Sequence, residues 1–376
     1  MHERKSFSPL SSFRAVVAGA TAVAMFALAG PLAAQTGTSA KPTTSTTTAK
    51  APVKAQAAPA KSPTPQTRTS LAQARAAANQ RAQRAAQARA RAAAIEKQRV
   101  ERDAMTPQYK RDLLGNQVPD VRAAAAIVFD PQTNAVLWEQ NAHAVRSVAS
   151  LTKLMTALTF VADEPDLNQV VAVTSTDMRA ASTTYIRSGD RISYRDLLHL
   201  ALIASDNAAA RVLARTSEGG TAGFVKRMNE MAASLGLTNS IYVDPSGLDA
   251  GNMASAYDTS HLIAFASADP VLGPIVRTQE YTAQTKTRAI PIHSTNRLLG
   301  DSLLATGMDV VGGKTGFISK AGYCLATLLR MPQGPQIAVV VLGATNSTVR
   351  FWEARHLFNW VVGRSAGLIG GIEELQ

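Results

Sequence analysis

From residue 121 onward the chain alternates between short apolar runs and stretches whose apolar positions recur every three or four residues. Val121–Phe129 reads as a strand, because the run Ala-Ala-Ala-Ala-Ile-Val-Phe is stopped by the turn pair Asp130-Pro131. Asn134–Glu139 reads as its hairpin partner. Ser150–Val161 sets Leu151, Leu154, Met155 and Leu158 on one helical face. Tyr194–Ala204 and Ala208–Arg215 read as helices around a short break. Gly223–Leu235 and Ser255–Ser267 read as further helices, the second ended by Asp269-Pro270. Strands follow at Val310–Val311, Tyr323–Arg330 and Ile337–Gly343, and a last helix at Val349–Val362. Strands at both ends with helices between them predict an α/β (α+β) unit over residues 120–365. Its antiparallel sheet is built from both ends of the domain, with helices on its faces and an inserted helical subdomain. No internal repeat is visible.

The N-terminal third has a different texture. Arg4, Lys5 and Arg14 precede the uncharged, small-residue run Ala15–Gly30, and Pro31-Leu32-Ala33-Ala34 offers a cleavage site. This is the pattern of a signal peptide over 1–34, its apolar run being shorter than the ~20 residues of a membrane span. Left uncleaved, it would tether the protein to the membrane; either way the remainder is exported. Residues 35–69 are Ala, Pro, Thr, Ser and Lys, with too little apolar bulk to offset ordering, and are expected to form a disordered linker. Residues 70–119 begin with Ala, Arg and Gln, all strong helix formers, without an apolar stripe, and read as a basic helical arm. Residues 366–376 form a C-terminal tail.

Charge follows the same division. Residues 35–120 carry 15 Lys and Arg against 5 Asp and Glu, whereas residues 121–376 hold 21 of each. The net charge of +12 therefore belongs to the arm and leader, and the globular part is neutral. The arm is either a spacer or a contact for anionic envelope polymers or a partner protein. Export argues against nucleic acid. The single cysteine, Cys324, excludes an internal disulfide and, lying in an apolar run, reads as a small core residue. The histidines show no paired metal-ligand spacing, so no metal and no cofactor are expected.

Three short motifs carry chemistry. In Ser150-Leu151-Thr152-Lys153 a serine at a helix start shares a face with a lysine three residues on. The helix N-terminus favours negative charge on the serine oxygen, and burial would lower the lysine pKa so that a neutral amine takes the serine proton. Ser205-Asp206-Asn207 lies between two helices, where it is read as a helix cap or as a polar site. Lys314-Thr315-Gly316 follows Gly312-Gly313; a lysine and a hydroxyl at a sheet edge, with glycine after them, let a substrate backbone approach. Each tripeptide is common alone. In this order within one unit they form the signature set of penicillin-interacting serine enzymes.

With these motifs the chain resembles the low-molecular-mass penicillin-binding proteins that act as D-alanyl-D-alanine carboxypeptidases and endopeptidases, over about residues 120–365. The resemblance includes Ala149–Ala157, Asp244-Pro245-Ser246-Gly247-Leu248, Asn296-Arg297-Leu298-Leu299 and Gly313–Phe317. It implies a beta-lactamase/DD-peptidase-like fold, a periplasmic enzyme acting on peptidoglycan, and beta-lactams as covalent inhibitors. By the same resemblance Ser150 is the acylated nucleophile, Lys153 the base, and Ser205 the hydroxyl that relays a proton to the leaving amine. Asn207 holds the substrate peptide, Lys314 supports the site electrostatically, and Thr315 meets the terminal carboxylate. The Ser150 and Phe317 amides, the latter after Gly316, form the oxyanion hole. Arg350 is either a further carboxylate contact or a helix-surface arginine. Where family members often have threonine, this chain has Ile318.

A class A beta-lactamase would carry a Glu-x-x-Leu-Asn loop after the second motif; Glu230 is followed by Met-Ala-Ala-Ser, so slow deacylation and inhibition by penicillin are expected. An inactive wall-binding module would not need all three motifs intact. Only about 60 residues follow Lys314, which resembles the penicillin-binding protein 7 type, a DD-endopeptidase, more than a carboxypeptidase with an added β-rich domain.

Overall fold

The computed structural model describes residues 65–300, 309–331 and 334–373. The expected signal peptide, and the expected linker up to residue 64, lie outside them. In chain order the elements are α1 (Pro65–Ala104), β1 (Tyr109–Arg111), β2 (Gln117–Pro119), β3 (Ala125–Asp130), β4 (Ala135–Gln140), β5 (Arg146–Ser147), α2 (Thr152–Val161), β6 (Val170–Ala172), α3 (Ser175–Met178), β7 (Arg191–Ser193), α4 (Tyr194–Leu202) and α5 (Asn207–Thr216). There follow α6 (Gly220–Ser234), β8 (Met253–Ala254), α7 (Ala256–Ala268), α8 (Leu272–Val276), β9 (Glu280–Gln284), β10 (Ala289–His293), β11 (Asp309–Ile318), β12 (Gly322–Arg330), β13 (Gln336–Ala344) and α9 (Ser347–Glu373).

A five-stranded antiparallel sheet runs in the order β11-β12-β13-β3-β4. It joins strands from both ends of the domain, as the sequence pattern predicted. The strands read as continuous apolar runs because both faces are covered, and alternate residues serve different cores. Ile127, Ala326 and Val340 belong to the cluster that includes Leu262 and Ile263 of α7. Their neighbours Val128, Leu325 and Val339 pack with Phe351, Leu357 and Phe358 of α9. Cys324 is fully buried in the first cluster and has a free thiol, whose pKa burial pushes up to about 11.

Helices α2, α4, α5 and α6 form the helical part between the two halves of the sheet. The elements β5–β8, β6–β7 and β9–β10 are short two-stranded pairs that pattern alone did not reveal.

Three boundaries differ from the sequence expectation. Helix α1 starts at Pro65, inside the stretch assigned to the linker, and ends at Ala104, where the Ala- and Arg-rich run of helix formers from 70 to about 104 also ends, so the last part of the 70–119 arm is not helical. All of its residues whose burial is described are exposed, in keeping with the missing apolar stripe. The rest of the expected arm is the β1–β2 hairpin, whose turn is tied by Asp112 Oδ1 accepting the amides of Leu114 at 2.9 Å and Asn116 at 2.8 Å. At the other end α9 continues to Glu373, through most of the expected tail. Among the described residues no helix is long and apolar enough to cross a membrane.

Candidate active site

Ser150 sits in a 3-10 turn, Ala149–Leu151, immediately before α2. The sequence placed it at the helix start; the helix itself begins two residues later. Ala149 has φ of +49°, a left-handed conformation that few non-glycine residues adopt and that concentrates at functional sites. The Thr152 hydroxyl donates back to the Ala149 carbonyl at 2.7 Å and holds the turn shut. Ser150 is half-buried, whereas Lys153, one turn further on the same face, is fully buried.

The Lys153 amine has three partners: Ser150 Oγ at 3.0 Å, Asn207 Oδ1 at 2.6 Å and the Ser246 carbonyl at 2.5 Å. Burial pulls its pKa down to about 7, against the opposing carboxylates of Asp206 and Asp244 and helped by Arg211. A neutral amine has two N–H bonds and one lone pair. Asn207 Oδ1 and the Ser246 carbonyl can only accept, so they take both hydrogens. The lone pair is left facing the Ser150 hydroxyl, which is the geometry of a base poised to receive a proton.

Ser205 and Asn207 flank the break between α4 and α5. Both readings of this motif hold at once. Asp206 caps α5 by accepting the Ala209 amide at 2.9 Å, and its other oxygen accepts the Tyr185 amide at 2.6 Å. That capping turn leaves Ser205 at φ +60° and half-buried. The Asn207 amide nitrogen donates to the Ala181 carbonyl at 2.7 Å and to Ser182 Oγ at 3.2 Å. With Oδ1 on Lys153, every polar atom of the buried Asn207 side chain is engaged inside the protein.

The third motif lies within β11, not between two strands. Lys314 is buried, and its amine donates to Ser205 Oγ at 2.9 Å and to the Thr315 carbonyl at 2.9 Å. Burial, with the nearby Lys153 and Arg350 charges, holds its pKa well below the usual lysine value. Thr315 Oγ1 donates to Thr295 Oγ1 at 2.7 Å. Phe317 is 49% exposed on the edge strand and stacks on Tyr323, ring centroids 4.2 Å apart. Gly316 lets β11 abut the nucleophile: a Cβ there would stand 2.8 Å from the Val148 carbonyl and 3.1 Å from the Ser150 amide nitrogen.

Arg350 is not the surface residue that its place at the start of a helix allowed. It is 7% exposed and donates to the carbonyls of Gly316 at 3.1 Å and Cys324 at 3.3 Å. These two bonds go to the backbone of β11 and β12, and a third goes to Ser347 Oγ at 3.3 Å. Burial lowers its pKa to about 10, which leaves it charged at neutral pH.

Hydrogen bonds therefore join Ser150, Lys153 and Asn207 in one group and Ser205, Lys314 and Thr315 in a second, with Gly316 of the third motif against the Ser150 turn and Arg350 on the Gly316 carbonyl. Sequence reasoning gave no role to Ser246, Ser182 or Thr295. The first lies in the quoted Asp244–Leu248 stretch, whose Asp-Pro and Ser-Gly pairs signal a turn. The other two act through one hydroxyl each and leave no pattern.

The chain is similar to known proteins over the same unit. The peptidase S11 family, described as D-alanyl-D-alanine carboxypeptidase, matches residues 113–346. The D-alanyl-D-alanine endopeptidase of Pseudomonas aeruginosa is 33% identical over 246 residues, covering 64% of this chain and 78% of the relative. The D-alanyl-D-alanine carboxypeptidase DacC of Escherichia coli is 33% identical, over 65% of this chain and 62% of the relative. Among solved structures, the Streptomyces K15 DD-transpeptidase superposes with a TM-score of 0.61 at 26% identity, over 65% of this chain and 98% of that one. A serine hydrogen-bonded to a buried lysine in this fold, with a family match across most of residues 120–365, leads to one conclusion: the chain belongs to the S11 peptidases, the D-alanyl-D-alanine carboxypeptidase family, and is a serine-type DD-peptidase.

Proposed function

We propose that the protein is an extracytoplasmic D-alanyl-D-alanine endopeptidase that hydrolyses peptide crosslinks of peptidoglycan through an acyl-enzyme on Ser150. The observation that carries the acyl-enzyme is the Lys153 amine, 3.0 Å from Ser150 Oγ with its other two positions filled by acceptors. Lys153 Nζ takes the Ser150 proton as Oγ attacks the D-alanyl carbonyl carbon. The oxyanion is received by the Ser150 and Phe317 amides. As the intermediate collapses, the C–N bond breaks and the Ser205 hydroxyl, bonded to Lys314, gives its proton to the leaving amine and is reprotonated with the proton that Lys153 took, which leaves Lys153 neutral again. Water then attacks the ester carbonyl carbon as Lys153 takes its proton; the C–O bond to Ser150 breaks, Lys153 returns the proton to Ser150 Oγ, and the acid leaves.

Thr315 and Lys314 supply a hydroxyl and a positive field for a carboxylate on the leaving residue. Asn207 holds the base in the free enzyme, and its contact with the substrate peptide requires its amide to leave Ser182. Beta-lactams enter by the same attack and are expected to acylate Ser150 and stay. The exposed basic arm serves as a spacer or as a contact for anionic envelope polymers or a partner protein.

The preference for endopeptidase over carboxypeptidase is supported by the Pseudomonas aeruginosa and Escherichia coli endopeptidases, matched over 78% of their length against 62% and 64% for the Escherichia coli carboxypeptidases DacC and DacD, while the Streptomyces K15 carboxypeptidase, matched over 88%, keeps the second reading in view. The test is product analysis on a crosslinked muropeptide dimer and on a pentapeptide monomer, with Ser150→Ala as control. Splitting of the dimer that the control lacks supports the endopeptidase. Loss of terminal D-alanine from the pentapeptide alone makes it a carboxypeptidase, and no product from either substrate returns it to a wall-binding module.

A further inference from the structure

The Lys153 amine is held from three sides, and one of its holders, the Ser246 carbonyl, belongs to no motif with an assigned role. That carbonyl is aimed by a turn built around a single carboxylate. Asp244 Oδ1 accepts the Ser246 amide at 2.6 Å, the Ser246 hydroxyl at 2.6 Å and the Gly247 amide at 2.9 Å. Asp244 Oδ2 accepts the Asp249 amide at 2.7 Å and Asn252 Nδ2 at 2.6 Å.

The turn is locked to the catalytic segment at three further points. The Thr156 hydroxyl of α2 donates to the Pro245 carbonyl at 2.6 Å. Gly247, at φ +80°, lies so close to the nucleophile turn that a Cβ would stand 2.1 Å from the Ala149 carbonyl. The fully buried Asn252 accepts the Val243 amide at 3.0 Å, and its own carbonyl accepts the Val148 amide at 3.1 Å.

We propose that Asp244 is a positioning residue for the base. Its carboxylate folds the 244–249 turn so that the Ser246 carbonyl takes one hydrogen of Lys153, and it keeps a negative charge beside that amine. The inference rests on the reading of Lys153 as the base.

Two consequences follow from the geometry. The first is directional. With one acceptor displaced, the amine is free to rotate and its lone pair no longer faces Ser150 Oγ. The second is electrostatic. Burial by itself would raise the Asp244 carboxyl, but the Ser246 hydroxyl and the amides of Asp249, Ser246 and Gly247 outweigh it and keep it below the usual carboxylate range. Asp244 is therefore ionised wherever the enzyme works. The charged groups that bear on Lys153 are Asp206 and Asp244, which raise its pKa, Arg211, which lowers it, and Lys314, which it affects in turn. Removing Asp244 leaves Asp206 as the remaining counter-charge among these, so the Lys153 pKa falls.

The experiment is the second-order rate of acylation by a fluorescent penicillin, measured from about pH 5 to about pH 9 across the limb set by the base. It compares the wild type, Asp244→Asn, Asp244→Glu and Ser246→Ala, with thermal unfolding as the fold check. Asp244→Asn should lower the plateau about tenfold through loss of lone-pair direction. It should also move the acid limb down by about one pH unit, the size of a removed opposite charge. Asp244→Glu keeps the charge and should keep the limb in place. Ser246→Ala loosens the turn without changing charge and should leave the limb where it is. Asp244→Ser, which retains a hydroxyl acceptor for the turn amides, replaces the Asn variant should that one fail to fold. A folded Asp244→Asn or Asp244→Ser with an unmoved limb overturns the proposal, as does a limb that Ser246→Ala moves equally. A wild-type profile with no acid limb would instead remove Lys153 as base, and the proposal with it.

Discussion

Gly316 of β11 and Ser150 of the nucleophile turn are in backbone contact: a Cβ on the glycine would stand 3.1 Å from the serine's amide nitrogen. That spacing sets the distance between the edge strand and the attacking oxygen. Gly316→Ala has to push the strand away from Val148 and Ser150. An added methyl in a packed site costs about 1–3 kcal/mol, which a folded domain survives. A displacement on the scale of 1 Å costs about a hundredfold in a reaction that depends on alignment. Acylation by a fluorescent penicillin should therefore fall about a hundredfold in a protein that still melts cooperatively. A variant acylated at the normal rate would show that the strand can yield.

Lys153 should dominate the pH dependence. Its pKa is held at about 7 by burial, so the neutral amine accumulates as pH rises through that value. Acylation should be slow on the acid side and level off on the alkaline side. Lys153→Ala should abolish acylation while the far-UV circular dichroism stays native. Normal acylation by that variant would remove the base assignment.

Arg350 should matter without touching substrate. Its Nη1 donates to both the Gly316 and Cys324 carbonyls, and its Nη2 donates to Ser347 Oγ. An ammonium, with all its donors on one atom, cannot keep the Ser347 contact while it meets both carbonyls. Arg350→Lys should lose about 1–3 kcal/mol, the usual cost of leaving buried polar groups unpaired. Acylation should fall with it because β11 shifts. Denaturant unfolding measured beside acylation tests the link, and a loss of acylation with unchanged stability would move Arg350 into direct substrate contact.

Glu353 supplies a stability prediction with a definite sign. Oε1 accepts the amides of Arg122 at 2.6 Å and Ala123 at 3.2 Å, while Oε2 has no hydrogen-bond partner among the described residues. Burial raises the carboxyl pKa, with the two amides opposing it. A folded pKa above the unfolded one means that the group's contribution is fully present below the unfolded value and is lost as pH rises through the folded one. Glu353→Gln keeps the accepting oxygen without the charge. It should raise the melting temperature at neutral pH, and the gain should vanish toward acid pH. A gain that persists unchanged into acid would show that charge burial is not its source.

Periodicity and motif order were enough to show where the elements of the catalytic unit lie. The apolar runs at 125–130 and 336–344 and the helical stripe after Ser150 record which residues leave water, a property that each residue carries locally. The order of the three motifs likewise named Ser150, Lys153, Ser205 and Lys314. The pairing of strands from both ends of the domain was legible too, but not which side chains far apart in the chain meet. Ser205 and Lys314 are 109 positions apart and meet at 2.9 Å only because the break between α4 and α5 is brought against β11. The direction of the Lys153 lone pair depends on two acceptors, one 54 and one 93 residues away. Arg350 looked like a helix-surface residue because sequence shows the helix but not the sheet behind it. The lowered pKa of Lys153 was expected from burial, but the groups that set it were not visible. Lysine is charged in water by default, and only the tertiary structure excludes that water and places Asp206, Asp244 and Arg211 around the amine.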